Sequence, residues 1–482
     1  MEQDHIIQKV FVEIAVNNKE KAMSIKEDIN SFLSVDVFPQ IEKYINALEY
    51  KLEGHTLQIP RLELDLNVKS SSLNVELKDK IVQLFEEKLS EMIKPIEILN
   101  QEAENDSKAY WISNQEKMVR TFIYFLEKGH MPWWNSEKKG FSFLEPEIFD
   151  VMIQSDNFEK SIISVLPKHE VQNRMINQLS NEQIAQICLT ILKSKELKIS
   201  LEPNIISYIA KLNHKNRLII WSLVLNVISE YLISPKSHLQ EYIVQQISKI
   251  DAADSLQIKT NRQNLKTVIK IFPFIEEIEI LESIKKDVFK NQEKEENSVE
   301  TIDDHEPETT FDDLGFKEDG HYIQNAGLII LHPFLKTFFE HCDLIHPKTQ
   351  QLTDPELCAH LLHYIATGKT NAPEYDMIFE KFLCNIPMNQ SINRHIKLSR
   401  KHKTQVKNLI ESVQQNWKPM KKSSGALLQN EFFQRSGKLV VTDHDYTLTV
   451  ERKTQDILLD KLAWGISFVK LPWKEKFMFV NW

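Results

Sequence analysis

His360 and His363 stand three residues apart in a segment, Glu356 to Thr367, whose spacing predicts an amphipathic helix, and Cys358, His332, His341 and Cys342 lie near them in sequence. Imidazole and thiolate are the ligands zinc prefers, so a metal centre is the first chemistry to weigh. Zinc needs three or four ligands converging tetrahedrally, and one helix face supplies at most two here. No H-E-x-x-H stretch and no further Cys/His set completes the arrangement, so these residues read as histidines partly buried in a helical core, and no metal is expected. A metal-dependent enzyme built around His332, His360 and His363 is the alternative from another class.

Other catalytic constellations are harder to build. The chain has no G-x-S-x-G elbow, and Cys188, Cys342, Cys358 and Cys384 are widely spaced without a C-x-x-C pair, so neither a nucleophile nor a disulfide framework is indicated. Its glycines stand at 54, 129, 140, 315, 320, 327, 368, 425, 437 and 465, too far apart for a G-x-G-x-x-G or Walker A phosphate loop. Carboxylate pairs such as Glu86 and Glu87 carry no sign of divided acid and base roles. No catalytic residue and no cofactor is assigned, and the chain is expected not to be an enzyme.

Composition points to what must position these residues. Of 482 residues 42% are hydrophobic and 9% aromatic, enough for a sizeable interior, and a chain this long exceeds what one core usually serves. Ten glycines are far below the roughly 7% of average proteins, which favours helices. A net charge of −10 argues against a general nucleic-acid binder, because such affinity comes from neutralising phosphates. The charge is uneven: Ser391 to Trp482 holds 17 Lys/Arg against 8 Asp/Glu, whereas Asn291 to Gly320 holds 12 acids against 2 lysines. The acidic stretch reads as a solvated linker, with a strap lying against the basic C-terminal region as the other reading. Arg394, Lys397, Arg400, Lys401 and Lys403 read as the exposed face of a helix start. The opening MEQDHIIQKVFVEIAV has neither a basic n-region nor a small-residue cleavage site, and no run approaches 18 apolar residues, so synthesis in the cytoplasm without membrane insertion is expected.

The fold class expected is mainly α and multi-domain: a small N-terminal α+β domain over 1–95, a helical region over 96–290, an acidic linker over 291–320, and a C-terminal helical domain over 321–482 ending in a β-hairpin and strand. In the first, His5 to Ile14 and the alternating Leu62, Leu64, Leu66 and Val68 predict strands, and Lys19 to Phe32, Val35 to Leu52 and Val75 to Ile93 predict helices. Ser113 to Lys128 predicts a further helix stopped at Gly129, after which Pro132-Trp133-Trp134 reads as a packing corner. From Glu145 to Val288 the pattern is helical with breaks at Pro167, Pro203, Pro235 and Pro273. Ala326 to Phe339, Glu356 to Thr367 and Glu374 to Asn385 follow as core helices. Lys438 to Thr442 and Tyr446 to Lys453 predict a hairpin, Ile457 to Val469 a helix or strand, and Lys476 to Trp482 a docked terminal strand.

An ordered series of segments is similar to the tape measure family of bacterial contractile injection systems, the phage-tail-like particles that puncture target cells. It comprises His5-Ile6-Ile7, Ile59-Pro60-Arg61-Leu62-Glu63-Leu64-Asp65-Leu66, Phe125 to Gly129 leading to Trp133-Trp134, Asn325 to Leu328, Leu331 to Phe334, His360 to Gly368, Leu383 to Pro387, Trp417, Phe432 to Gly437, Ile466 to Trp473 and Val480 to Trp482. The resemblance implies a structural role in fixing tail tube and sheath length during assembly, with tail tube, baseplate or cap proteins as partners. The particle it implies is assembled in the cytoplasm and then released or anchored at a membrane. An assembly chaperone or a baseplate or cap adaptor without a ruler role is the nearest alternative. Even one uninterrupted helix from 155 to 290 would reach only about 200 Å. Trp133, Trp134, Phe334, Trp473 and Trp482 are the candidate interaction anchors.

Overall fold

The computed structural model describes residues 5–16, 18–48, 54–67, 73, 75–92, 110–135, 143–234, 239, 241–243, 245–246, 266–274 and 320–482. The boundaries expected at 95/96 and 290/291, the break expected at Pro235 and the acidic stretch up to residue 319 lie outside them. Mainly helical, the chain has a small sheet near its C-terminus. It divides into two compact units, one formed by Met1–Thr121 with Pro132–Asn157 and the other by Phe122–Met131 with Phe158–Trp482.

In the first unit α1 (Lys19–Phe32) starts at Asn18, whose side chain accepts from the amides of Glu20 and Lys21 at 2.9 and 3.4 Å. A π-helical turn, Leu33–Val37, passes the chain into α2 (Phe38–Leu48). Phe32, Val37 and Ile41 are buried there, and Leu77, Ile81 and Phe85 of α3 (Val75–Met92) pack on them. One strand pair is present: β1 (His55–Gln58) runs antiparallel to β2 (Tyr110–Ser113), with Leu57 opposite Trp111. Both expected strands are corrected. Residues 5–16 and 61–67 form no ladder among the described residues, although Leu62, Leu64 and Leu66 are half-buried while their neighbours are exposed. Alternation fixes which side chains share a face, but a strand also needs a hydrogen-bonded partner, and the sequence of one segment does not name it. α5 (Pro146–Ile153) completes the unit, with Pro146 in its first turn, where a missing N–H costs nothing.

The second unit begins with the latter half of α4 (Asn114–Lys128) and continues through α6 (Phe158–Val165), α7 (His169–Gln178), α8 (Asn181–Leu192), α9 (Pro203–Ala210) and α10 (His214–Ile233). Pro203 opens α9 and Ser180 with Gln183 forms a capping box on α8, so short polar and proline signals separate the helices as the spacing of breaks predicts. Among the described residues α10 alone is long and apolar enough to cross a membrane, and 56% of its apolar window is buried inside the unit, as in a core helix. Arg217 on α10 turns inward to the carbonyls of Ile176 and Leu179 and to Asn181 Oδ1, which also accepts from Trp221 Nε1 at 2.8 Å.

The C-terminal part of this unit holds the largest buried apolar cluster, from Ile323 to Val480. A 3-10 turn, Ala326–Leu331, leads into α11 (His332–His341), whose second residue Pro333 falls in the first turn and so does not break it. α12 (Pro355–Thr367), capped by Asp354 and closed by Gly368 at φ +69°, packs on α13 (Ile378–Leu383). Then come α14 (Arg400–Asn416) and the short α15 (Gly425–Leu428). The sheet runs β3 (His321–Ile323), β4 (Gly437–Val441), β5 (Tyr446–Val450), β7 (Met478–Asn481), β6 (Phe468–Val469). The hairpin is β4–β5, turned by Thr442 and Asp445, and β7 lies parallel to β5 with Leu448 opposite Val480. Met478 and Val480 point into the core and Phe479 outward, as the alternation predicts. Ile457 to Val469 takes neither single form: it holds most of a 3-10 helix, Thr454–Lys461, and then β6.

Gly327 makes the closest approach in this unit. A Cβ there would lie 1.6 Å from the carbonyl oxygen of Phe432, a distance no side chain can occupy without moving backbone. Gly327→Ala is therefore expected to destabilise the second unit by roughly 3 kcal/mol or more in urea denaturation, the range of severe overpacking.

Candidate functional site: a buried ionic lock and the aromatic residues

Glu374 sits between two cations in the second unit, and all three side chains are fully buried. Arg174 Nε donates to Glu374 Oε2 at 3.2 Å and Lys381 Nζ donates to Oε1 at 2.6 Å. Arg174 comes from the inward stripe of α7, Lys381 from α13, and Glu374 from the 3-10 turn Glu374–Asp376. Two cations against one carboxylate leave a surplus positive charge, which backbone carbonyl oxygens offset. Arg174 donates to the carbonyls of Leu126 and Asn389 at 2.5 Å, and Lys381 to those of Met388 and Gln390 at 2.9 and 2.7 Å. All three ammonium protons of Lys381 thus have acceptors, the condition under which a buried charge is tolerated. Burial pulls the Lys381 ammonium below its ordinary range while Glu374 holds it up.

The same polar seam continues along α7. Gln178 accepts from the Glu374 amide at 2.9 Å and donates to the Ile392 carbonyl at 2.7 Å, and Asn177 reaches Ser391 Oγ at 2.7 Å. Residues 388–392 are therefore held from both sides by side chains of α7 and α13. Gly129, in the left-handed region at φ +79°, makes room for the lock: a Cβ there would meet Glu374 Oε1 at 2.7 Å and Arg174 Nη2 at 2.9 Å. The sequence signals Gly129 as a helix stop but gives no hint of this approach. Arg174, Glu374 and Lys381 were not singled out either. The available signal is a charged residue at an inward helical position, Arg174 between Val171 and Met175 or Lys381 between Phe379 and Phe382.

The histidines weighed for zinc have other partners. His360 Nε2 donates to the Asn393 carbonyl at 2.9 Å, His332 Nε2 to that of Gly465 at 2.9 Å, and His363 Nδ1 lies 3.0 Å from Glu380 Oε1. Burial lowers His360 to about 4, so it is neutral at pH 7. Glu380 Oε1 also accepts from Asn325 Nδ2 at 2.8 Å, and Asn325 is itself at φ 56°. Among the described residues no group of three or more His, Cys, Asp and Glu could hold a metal ion. All four cysteines are buried and unpaired, and burial raises every thiol, Cys188 to about 12 and Cys342 to about 11, which suppresses thiolate chemistry.

The five aromatic candidates separate by exposure. Trp133 is 42% exposed in the first unit, edge-on to Trp134 with ring centres 5.8 Å apart. Phe334 is half-buried and packs edge-on against Trp464. Trp482 is half-buried too: its Nε1 donates to Asp456 Oδ2 at 3.1 Å and its carbonyl accepts from Arg452, so the last residue is docked. Trp473 is 2% exposed, its Nε1 bonded to the Leu383 carbonyl at 2.7 Å and its own carbonyl to Asn385 Nδ2 at 2.6 Å, which makes it a packing residue inside the unit.

The lock and the histidines His332, His360 and His363 are bonded to partners inside the unit, an arrangement that serves cohesion. The chain belongs to the contractile injection system tape measure protein family, whose sequence model matches residues 4–482. No curated protein and no solved structure matches it. It is accordingly a structural assembly protein of a bacterial contractile injection system, with the tape measure's role in setting tail tube and sheath length. The family is not an enzyme class, and its tape measure proteins associate with tail tube and sheath components.

Glu374→Gln removes the carboxylate bonded to both Arg174 and Lys381 while keeping its size. Urea unfolding of this variant is expected to show a loss of roughly 3–5 kcal/mol, the cost of leaving buried cations uncompensated.

Proposed function

We propose that the chain takes part in length control through folded units that grip its partners, tail tube proteins and baseplate or cap proteins, in place of a single long helix threaded through a tube. Assembly takes place in the cytoplasm, before the particle is released or anchored at a membrane. The observation that carries this reading is the ionic lock: α7, in the middle of the sequence, is tied through Arg174 to Glu374 and Asn389 far along the chain. α10, the longest helix among the described residues of the region, has 20 residues and so spans about 30 Å. In this reading Trp133, Trp134, Phe334 and Trp482 are the aromatic contacts to partners, and Trp133 is the most accessible of the tryptophans among them. The second reading, an assembly adaptor without a ruler role, draws on the same cohesion of the second unit.

Electron microscopy of particles from a strain lacking the gene, complemented with chains lengthened or shortened between Ser234 and Gly320, tests both. Tail length that follows chain length is the expected result. Absent or aberrant particles insensitive to chain length would favour the adaptor, and normal particles of fixed length without the chain would overturn both. Trp133→Ala in the same strain is expected to lower particle yield while the purified protein keeps its stability to within about 0.5 kcal/mol, the usual effect of a surface change. Unchanged yield would remove Trp133 from the partner contacts.

A further inference from the structure

Among the described residues of the second unit Lys474 is the buried lysine that stands outside the ionic lock. It is 4% exposed, and its Nζ has no hydrogen-bond acceptor among the described residues. The ammonium lies 3.7 Å from the ring centre of Phe382 and 5.1 Å from that of Tyr446, rings that meet each other edge-on at 4.9 Å. Its neighbours in sequence clamp this place: Lys474 N donates to the Leu471 carbonyl, and Trp473 is bonded at both ends to Leu383 and Asn385. The segment so fixed carries β6 and β7, the last two strands of the sheet.

We infer that Lys474 is an acid-sensitive latch, holding β6 and β7 on the second unit in its neutral form and loosening them when it takes up a proton. The physical reason is hydration. An ammonium in water has acceptors for three N–H groups, and here two aromatic faces replace them, an attraction smaller than the hydration given up. Lys381, equally buried, shows the contrast, because its three protons all have oxygen acceptors. Burial lowers Lys474 to about 7, with Cys384 acting in the opposite direction.

The titratable and charged groups around Lys474 come from two elements packed beside it. From α13 and its end come Glu380, engaged by Asn325 and His363, and Cys384, whose thiol burial raises. From β5 comes Tyr446, raised by burial and by Glu475, with Lys476 5.9 Å from its ring and bonded to the Thr442 carbonyl. The sign follows from proton counting. Between the folded value and the higher value of an exposed lysine the open state binds the extra proton, so docking strengthens as pH rises and weakens as pH falls towards 7. Opening would bare the edge of β5, with Leu448 and Val450 along it, to another strand.

Hydrogen exchange of the intact protein, corrected for intrinsic rates and read by mass spectrometry over residues 466–482, measures the latch. Opening of this segment is expected to rise by up to about tenfold per unit as pH drops from 9 towards 7, the limit for one proton, while α12 peptides change less. Lys474→Met should be more protected at pH 7 and lose that dependence. A flat wild-type profile, or a Lys474→Met protein that keeps the wild-type slope, would overturn the latch. A neutral residue must also be tolerated at least as well as the lysine, so failure of both Lys474→Met and Lys474→Leu to fold would overturn it equally.

Discussion

One carboxylate organises the second unit. Glu374 is the anion paired with both Arg174 and Lys381 in a fully buried place, and at such distances in a poorly solvated interior the interaction of unit charges is many times its value in water. The constraint reaches outward from there. A glycine must stand at 129 because its Cβ would meet both partners of the pair, and residues 388–390 must turn so that their carbonyls face the cations. Gln178 then fixes the backbone of Glu374 itself. Central helix, α4 end, α13 and loop are thereby tied at one point.

Buried ion pairs seldom add much net stability over a well-packed apolar substitute, because desolvation cancels most of the attraction. Their effect is directional, since each donor fits a limited set of acceptors. The second unit repeats this device. Arg217 and Trp221 share Asn181, Asn325 and His363 share Glu380, and Arg435 and Trp482 share Asp456. Each pairing joins residues distant in sequence, so the apolar cluster supplies the drive to collapse while these seams choose which helices and strands meet.

Much of the helical order was legible before the structure. α1, α3, α4 and α12 fall where apolar spacing and the stops at Gly129 and Gly368 put them, because helical periodicity is local and its terminators are chemically distinct. The hairpin β4–β5 and a terminal strand at β7 were equally readable from alternation. The strands expected over 5–14 and 62–68 form no ladder among the described residues, since pairing is a property of two segments, and β1 and β2 arose where no alternation announced them. The ionic lock was illegible for the same reason. Arg174, Glu374 and Lys381 are ordinary charged residues until the fold brings positions 200 residues apart together. Trp473, one of the candidate interaction anchors, donates its Nε1 to the Leu383 carbonyl inside the unit, a contact that its sequence position does not announce.

These contacts bear on how such a chain can take part in measuring length. Extending the middle of the sequence into a rod would draw α7 away from α13, and Arg174, Lys381 and Glu374 would have to separate into water together, along with the seam from Gln178 to Ile392. Disruption of a network is cooperative, because each partner left behind is a buried charge or an unsatisfied carbonyl. The folded unit therefore resists gradual stretching and yields, if at all, in one step. A ruler that reads distance continuously needs the opposite property. Cohesion of this kind suits a part that stays whole and defines an end point, with distance set by what lies between such parts.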